Sequence, residues 1–114
     1  MDNAESILTS IKKLLGIEEE YTHFDADIIM HTNSVFSILG QIGVGPETGF
    51  AISSDEETWD QFITGEKFSM VKSYVYLKVR LLFDPPISSA AIESINRQIS
   101  ELEWRLFVAA DPKL

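Results

Sequence analysis

Cysteine is absent from the 114 residues of this chain, which excludes disulfide bonds and every mechanism that needs a thiolate. Long apolar runs are missing too, because no stretch reaches the roughly eighteen residues that a membrane-spanning helix needs. We therefore expect no membrane partner. Asp2 and Glu5 occupy positions at which a secretory leader is basic, so no signal peptide is expected. The composition, 45% hydrophobic and 24% charged, is typical of one globular domain over residues 1–114 with a modest core.

Basic residues are scarce in the first part of the chain. Residues 1–66 hold thirteen acidic side chains against two lysines, a balance of −11, whereas residues 67–114 hold seven basic against five acidic side chains, a balance of +2. The net charge of −9 argues against binding to a nucleic-acid backbone, because such binding relies on Lys and Arg contacts. Two interpretations stay open. Either the acidic surface keeps a monomer soluble, or the acidic half of one copy faces the basic half of the next in a head-to-tail assembly.

Patterns that carry catalytic chemistry are also missing. The glycines at 43 and 45 precede Pro46 and lack a following Lys-Ser/Thr, so they form no phosphate-binding loop. No serine lies in the context of a nucleophile elbow. Two histidines and two aspartates are close enough in sequence to suggest a metal site, but such groups near a helix start are more often surface side chains. These four residues are His23, Asp25, Asp27 and His31. We predict no catalytic residues, no metal and no cofactor, and we expect that the protein is not an enzyme.

Apolar residues recur with a helical period in five stretches that glycine or proline separates. The expected helices cover approximately residues 4–15, 22–41, 58–65, 67–83 and 88–109. Their caps are expected at Asp2 or Asn3, Thr22, Thr58, and Ser88 or Ser89. A Gly-rich loop excursion at about residues 43–57 separates the second and third helices, with a short extended piece at 50–52. The predicted fold class is all-α, a small bundle of four to five helices.

The helix expected at residues 67–83 is apolar on almost every side. Between Met70 and Phe83 only Lys72, Ser73 and Arg80 mark a narrow polar gap on the helical wheel. A chain this short has few neighbouring elements to cover such a helix. We therefore expect part of its surface to contact another copy of the protein or a partner.

Lys78 projects into the middle of the apolar face of that helix. Three alternatives apply to a lysine in such a place. The stem packs while the ammonium reaches water, the ammonium forms a structural ion pair, or the group serves as a catalytic amine.

The last helix carries a second apolar group, away from its core-facing stripe. That stripe consists of Ile92, Ile95, Ile99, Leu102 and Leu106. Trp104 and Val108 point roughly 140° and 180° away from its centre, and Phe107 lies between them and the core. Three such residues within one turn indicate an interface patch, the alternative being that the first helix folds over them. The predicted oligomer or partner interface comprises Tyr76, Arg80, Phe83, Trp104, Phe107 and Val108.

Three segments of the chain carry a resemblance to a known family: SYVYLKVRLLFDPP at residues 73–86, NRQISELEWRL at 96–106 and IKKLLGI at 11–17. They resemble the head–tail connector (adaptor) proteins of long-tailed bacteriophages and prophages, a head-completion family. The Asp-Pro-Pro junction with a helix on each side is the most distinctive part. The likeness extends over nearly the whole chain.

The resemblance implies a small helical structural protein that assembles with itself into a ring, usually dodecameric, beneath the portal protein. Such a ring completes the head, extends the DNA channel and carries the stopper or tail-completion protein. It is built in the host cytoplasm and ends at the head–tail interface of the virion. DNA passes through the channel without specific binding, and no catalytic residues are implied.

An acidic surface suits a channel that carries DNA without gripping it, because like charges repel the phosphates. The acidic residues that we place at the channel or an exposed rim are Glu18, Glu19, Glu20, Asp55, Glu56 and Glu57. The loop from Gly43 to Asp55 is the segment that we expect to reach a neighbouring copy or ring. The alternative function is a small soluble helical adaptor or regulator that binds its partner through the Trp104/Phe107 patch.

Overall fold

Five helices make up the structure, a computed structural model that describes residues 4–110. Their bounds are α1 Ile7–Leu15, α2 Asp25–Ile42, α3 Trp59–Phe62, α4 Phe68–Phe83 and α5 Ser89–Ala110. Within these residues the extended pairing is confined to a single antiparallel bridge between Ser6 and Thr58. The predicted all-α bundle is therefore confirmed. No helix in this range combines the length and the apolar content that crossing a bilayer requires.

Local signals set most of the helix ends. Ser6 caps α1, since its Oγ accepts a hydrogen bond from the backbone N–H of Thr9 at 3.2 Å, so the helix begins after the expected residue 4. The caps expected at Asp2 or Asn3 lie outside the described residues. The predicted capping box of α3 is confirmed, with the Thr58 N–H donating to Gln61 Oε1 at 3.2 Å.

The start of α2 differs from the prediction. The helix begins at Asp25 rather than Thr22, and Phe24 stands at its N-cap without a side-chain hydrogen bond. Thr22 instead accepts the Asp25 N–H through its backbone carbonyl at 3.2 Å, which makes a turn before the helix. The acidic side chains of Asp25 and Asp27 in the first turn favour the positive end of the helix dipole.

Helix α4 is the central element of the bundle, because α1, α2 and α5 all pack against it. Its buried side chains are Phe68, Val71, Tyr74, Val75 and Val79. One chain shields most of this helix but not all of it, because Met70, Tyr76, Leu77, Leu81 and Phe83 are only half-buried. The expected contact of the uncovered part with another copy or a partner stays a prediction. Only Leu82 on α4 is a strongly exposed large apolar side chain. Three helices around a central one cover more of its circumference than the wheel pattern alone suggests.

The end of α4 and the orientation of α5 follow the prediction. Asp84 is the C-cap of α4, ahead of Pro85 and Pro86, which disfavour a continuing helix. Ser88 then accepts the N–H of Ala91 at 3.3 Å. On α5 the predicted stripe faces the core. Ile99 and Leu106 of that stripe are buried, and Ile95 and Leu102 pack at the edge.

The glycine-rich loop is fastened to its own chain rather than projecting freely. The side-chain amide of Asn33 bonds both backbone groups of Ile52, accepting from its N–H at 2.7 Å and donating to its carbonyl at 2.9 Å. Val44 and Ile52 are buried in the core. The expected extended piece at 50–52 is thus held by a side chain, and it forms no strand. The loop tip, residues 45–49, is mostly exposed.

Thr32 is a buried polar residue whose effect on stability can be measured. It is completely buried on α2, and its hydroxyl has no hydrogen-bond partner within residues 4–110. A buried hydroxyl without a partner is destabilising, so Thr32→Val should raise the free energy of unfolding by about 1 kcal/mol in a denaturant titration. Ser10→Ala is the matched control, because Ser10 Oγ donates to the Ile7 carbonyl at 3.0 Å and accepts from Trp59 Nε1 at 2.8 Å. It should lower stability. Equal signs for the two variants would contradict this assignment.

Candidate assembly surface

Trp104 and Phe107 form an exposed aromatic surface on α5, hereafter the aromatic plate. Trp104 is 63% exposed and Phe107 47% exposed. Their rings lie nearly parallel, at 29°, with centroids 6.5 Å apart. The alternative in which α1 folds over this patch is wrong, since both rings remain open to solvent. Val108, the third predicted member, is half-buried. Exposed aromatic side chains of this size are typical of interfaces.

A charged pair borders the aromatic plate. Arg105, which lies between the two plate residues in sequence, places Nη2 3.0 Å from Glu101 Oε2 one turn earlier on α5. Both side chains are about two-thirds exposed, at 60% and 64%. A pair this open to water contributes little to stability, so the guanidinium is free to change partners.

Tyr76, Arg80 and Phe83 lie on α4, whereas the plate lies on α5. Arg80 Nη1 donates to Tyr76 Oη at 3.2 Å, and this bond raises the pKa of the guanidinium above its ordinary value. The Phe83 ring meets the Phe24 ring edge-on at 5.2 Å. Phe83 precedes the first turn of α5, whereas Trp104 is fifteen residues beyond Ser89, about 22 Å along the axis. Phe83 therefore lies apart from the plate. Tyr76 is nearer to it along the helices, because Tyr74 and Lys78 both contact Glu103, the neighbour of Trp104.

Near Phe83 the structure shows exposed apolar residues, of which Ile87 and Tyr21 were missed by the sequence analysis. Ile87 is fully exposed, and Leu82 and Tyr21 are each about half exposed. The sequence did hold a signal for Ile87. It follows Pro85 and Pro86, which restrict the backbone of the turn and so favour an exposed connection between the helices. Tyr21 belongs to a contact chain of rings that also includes His23, Phe24 and Phe83.

The first acidic cluster, Glu18 to Glu20, is exposed in the linker between α1 and α2. Lys12 holds this linker. Its Nζ donates to the Glu19 carbonyl at 2.9 Å and lies 2.8 Å from Asp25 Oδ1, with the lysine side chain only 3% exposed. The three glutamates and Glu5 line an open cleft of about 450 Å³ along α1. Lys12 thus fixes the backbone of the linker, whereas the carboxylates of Glu18, Glu19 and Glu20 face water.

In the second acidic cluster, one member differs from the other two. Asp55 and Glu56 are exposed. The carboxylate of Glu57 instead accepts hydrogen bonds from the N–H and the hydroxyl of Ser53, both at 2.9 Å, and from those of Ser54. Desolvation raises the pKa of this carboxyl, but the hydrogen bonds from the two serines outweigh it and hold the pKa below its usual value. Glu57 therefore organises its own loop.

Lys78 combines two of the alternatives, since its side chain is 26% exposed to water and its ammonium also lies near a carboxylate. Its Nζ lies 3.9 Å from Glu103 Oε2 on α5, and the same carboxylate accepts a hydrogen bond from Tyr74 Oη at 2.6 Å. Burial, with the nearby Glu103 carboxylate, raises the pKa of the Tyr74 hydroxyl above its ordinary value. The three side chains link α4 to α5, and the Glu103 carboxylate serves as the polar partner of Tyr74 and Lys78.

Of the four histidines and aspartates near the start of α2, His23 and Asp25 make contacts within the chain, Asp27 is exposed and His31 is half-buried. The His23 ring contacts the Phe24 ring edge-on at 4.8 Å, and Asp25 pairs with Lys12. Over residues 4–110 no three His, Asp or Glu side chains converge in a way that would hold a metal.

A groove opens where α2 ends and the loop tip begins, hereafter the glycine groove. Its volume is about 580 Å³. Phe36, Phe50 and Pro46 form its apolar walls, Glu47 lies in its lining, and glycines form much of the remaining surface. The glycines that line it are Gly40, Gly43, Gly45 and Gly49.

Comparisons with known proteins give a match to a family model. Neither a curated protein nor a solved structure matches the chain. A family model described as "Phage connector protein" matches residues 7–113. This match spans all five helices. The chain therefore belongs to the phage connector protein family, and its role is that of a structural connector in the virion.

Proposed function

We propose that this connector assembles into a ring, dodecameric in the virion, between the portal protein and the stopper or tail-completion protein. The ring completes the head and extends the DNA channel, with a structural rather than an enzymatic role. The observation that carries the proposal is the aromatic plate. Two large stacked rings on a regular helix stay exposed, away from the Ile95, Ile99, Leu102 and Leu106 stripe that packs on the core.

The residue types at the plate favour a contact between protein surfaces. Trp and Arg are enriched among the residues that dominate binding energy at interfaces, and here Trp104, Arg105 and Phe107 are neighbours. Because α5 fixes their backbone, little backbone entropy is lost when a second surface covers them.

The exposed acids fit a channel or rim in this ring. Glu18, Glu19 and Glu20 and the pair Asp55 and Glu56 present free carboxylates to solvent. Carboxylates repel a passing phosphate backbone, whereas a ring of lysines or arginines would bind it. Glu57 is excluded from this assignment because its carboxylate is occupied within its loop.

The test combines the purified protein with purified portal rings. We expect native mass spectrometry and electron microscopy to show a ring of connector on the portal. A Trp104→Ser/Phe107→Ser variant should bind at least about 30-fold more weakly, since it removes two anchor side chains from the contact. Met30→Ser is the matched control, because Met30 is also strongly exposed, at 57%, but lies on α2. It should assemble normally.

A connector that stays monomeric or dimeric in the presence of the portal would overturn the ring. If the aromatic plate were then still needed to bind a different protein, the adaptor alternative would take its place.

A further inference from the structure

We propose that the aromatic plate of one copy inserts into the glycine groove of the next copy. This inference rests on the proposed ring and names the two surfaces that meet in it. It also assigns a role to the loop tip, residues 45–49, which forms one side of the groove.

Gly40 indicates that something outside the chain approaches the groove. It lies inside α2, two residues before the end at Ile42, where glycine is less favourable than alanine. A Cβ built at Gly40 would meet no atom within 4 Å, and its φ is that of an ordinary residue. The chain's own packing thus gives no reason for glycine at this position. A backbone without side chains lets a partner group approach closely.

The shape and chemistry of the glycine groove suit flat rings. The half-buried Phe50 and Pro46 line it above the buried Phe36, and a Cβ at Gly49 on the loop side would again meet open space. Seven large apolar side chains are strongly exposed within residues 4–110. Among them, only Trp104 and Phe107 stack on each other, so they present one broad aromatic surface.

Each of the two surfaces carries one exposed charge that could pair with the other, Glu47 at the groove and Arg105 beside the plate. The partner of Arg105 in its own chain is solvent-screened. The groove also belongs to the acidic segment 1–66, whereas the plate belongs to the segment 67–114 with its small positive balance. An arginine of one copy facing a glutamate of the next fixes the register of the contact.

The contact has to join different copies. Neither Trp104 nor Phe107 lines the groove of its own chain, and α5 is a continuous helix that holds them in place. Because the plate and the groove are different surfaces, each copy offers one to each of two neighbours. Such a heterologous contact closes into a ring when the rotation between copies divides a full turn.

Cysteine cross-linking tests the pairing directly, because the chain contains no cysteine. One preparation carries Glu47→Cys and a second carries Arg105→Cys, and the two are mixed with portal rings and oxidised. We expect a disulfide-linked dimer on a non-reducing gel from the mixture and none from either variant alone. The matched control replaces Glu47→Cys by Ser34→Cys, an exposed position on α2 outside the groove. It should give no dimer above background.

A variant that blocks the groove sterically tests the same contact without a cross-linking reaction. Gly40→Leu places a side chain in open space, so the monomer should fold and its melting temperature should not fall. Assembly on the portal should weaken by at least about 30-fold, because the leucine occupies the space of the aromatic plate. Ser34→Leu adds a similar side chain to the same helix outside the groove and should assemble normally.

The outcomes separate the pairing from the ring itself. A ring that forms normally with Gly40→Leu, or that gives no Glu47–Arg105 cross-link, overturns the pairing and leaves the proposed function in place. A wild-type protein that forms no ring on the portal overturns both. Assembly blocked by Gly40→Leu together with a specific cross-link supports the pairing.

Discussion

Replacing Gly45 by alanine should destabilise the protein by about 3 kcal/mol, the sum of a backbone and a packing cost. Gly45 has φ +94°, a conformation that residues with a Cβ rarely adopt. A Cβ there would also lie 2.4 Å from Cε1 and 2.7 Å from Cζ of Phe62. Phe62 has little room to move, because its ring contacts those of Phe36 and Phe50 at centroid distances of 4.6 and 5.2 Å.

Gly49 provides the control for the Gly45 variant. It has a similar φ of +89°, but a Cβ at Gly49 would meet nothing within 4 Å. Gly49→Ala should therefore cost only the backbone part, about 1 kcal/mol. Denaturant titrations of both variants measure the difference. If the two alanine variants lost the same free energy of unfolding, the close packing of Phe62 under the loop would be refuted.

Replacing Lys12 by methionine should lower the free energy of unfolding by about 2 kcal/mol. The ammonium is almost fully buried, and it lies 2.8 Å from the Asp25 carboxylate and donates to the Glu19 carbonyl. Breaking a fully buried ion pair costs about 3–5 kcal/mol, but Asp25 is 26% exposed, so water compensates part of the loss. The methionine retains the packing of the lysine stem.

Two further variants separate the ion pair from general effects of charge. Lys13 is the next residue on α1 and is exposed, so Lys13→Met should change stability by less than about 0.5 kcal/mol. The double variant Lys12→Met/Asp25→Asn should recover part of the loss, because it leaves no unpaired carboxylate. Equal losses for Lys12→Met and Lys13→Met would show that the contact contributes nothing specific.

The helices could be predicted from the sequence because their signals are local. The Asp84-Pro85-Pro86 stop and the Thr58 capping box each act through the backbone within a few residues. The prediction failed at α2, where an apolar residue, Phe24, occupies the N-cap and a tertiary pair with Lys12 engages the first helical carboxylate. No local pattern announces such a pair.

The candidate site could be predicted only in part. The exposure of Trp104 and Phe107 followed from their angle to the core stripe on a single helix. The glycine groove did not follow, because it requires Phe50 and the loop tip to return to the end of α2. That return depends on Asn33 bonding Ile52, which is nineteen residues away in sequence.

The sequence by itself determined the helical class, the helix that packs on several sides, the last helix with its exposed rings, and the likeness to phage connectors. All of these are carried by periodic or contiguous residues. Only the tertiary structure decided how much of α4 one chain covers, which surfaces stay open, and where Lys12 and Lys78 place their charges. The physical reason is that burial and ion pairing depend on which elements meet in space, and residues far apart in the chain make those contacts.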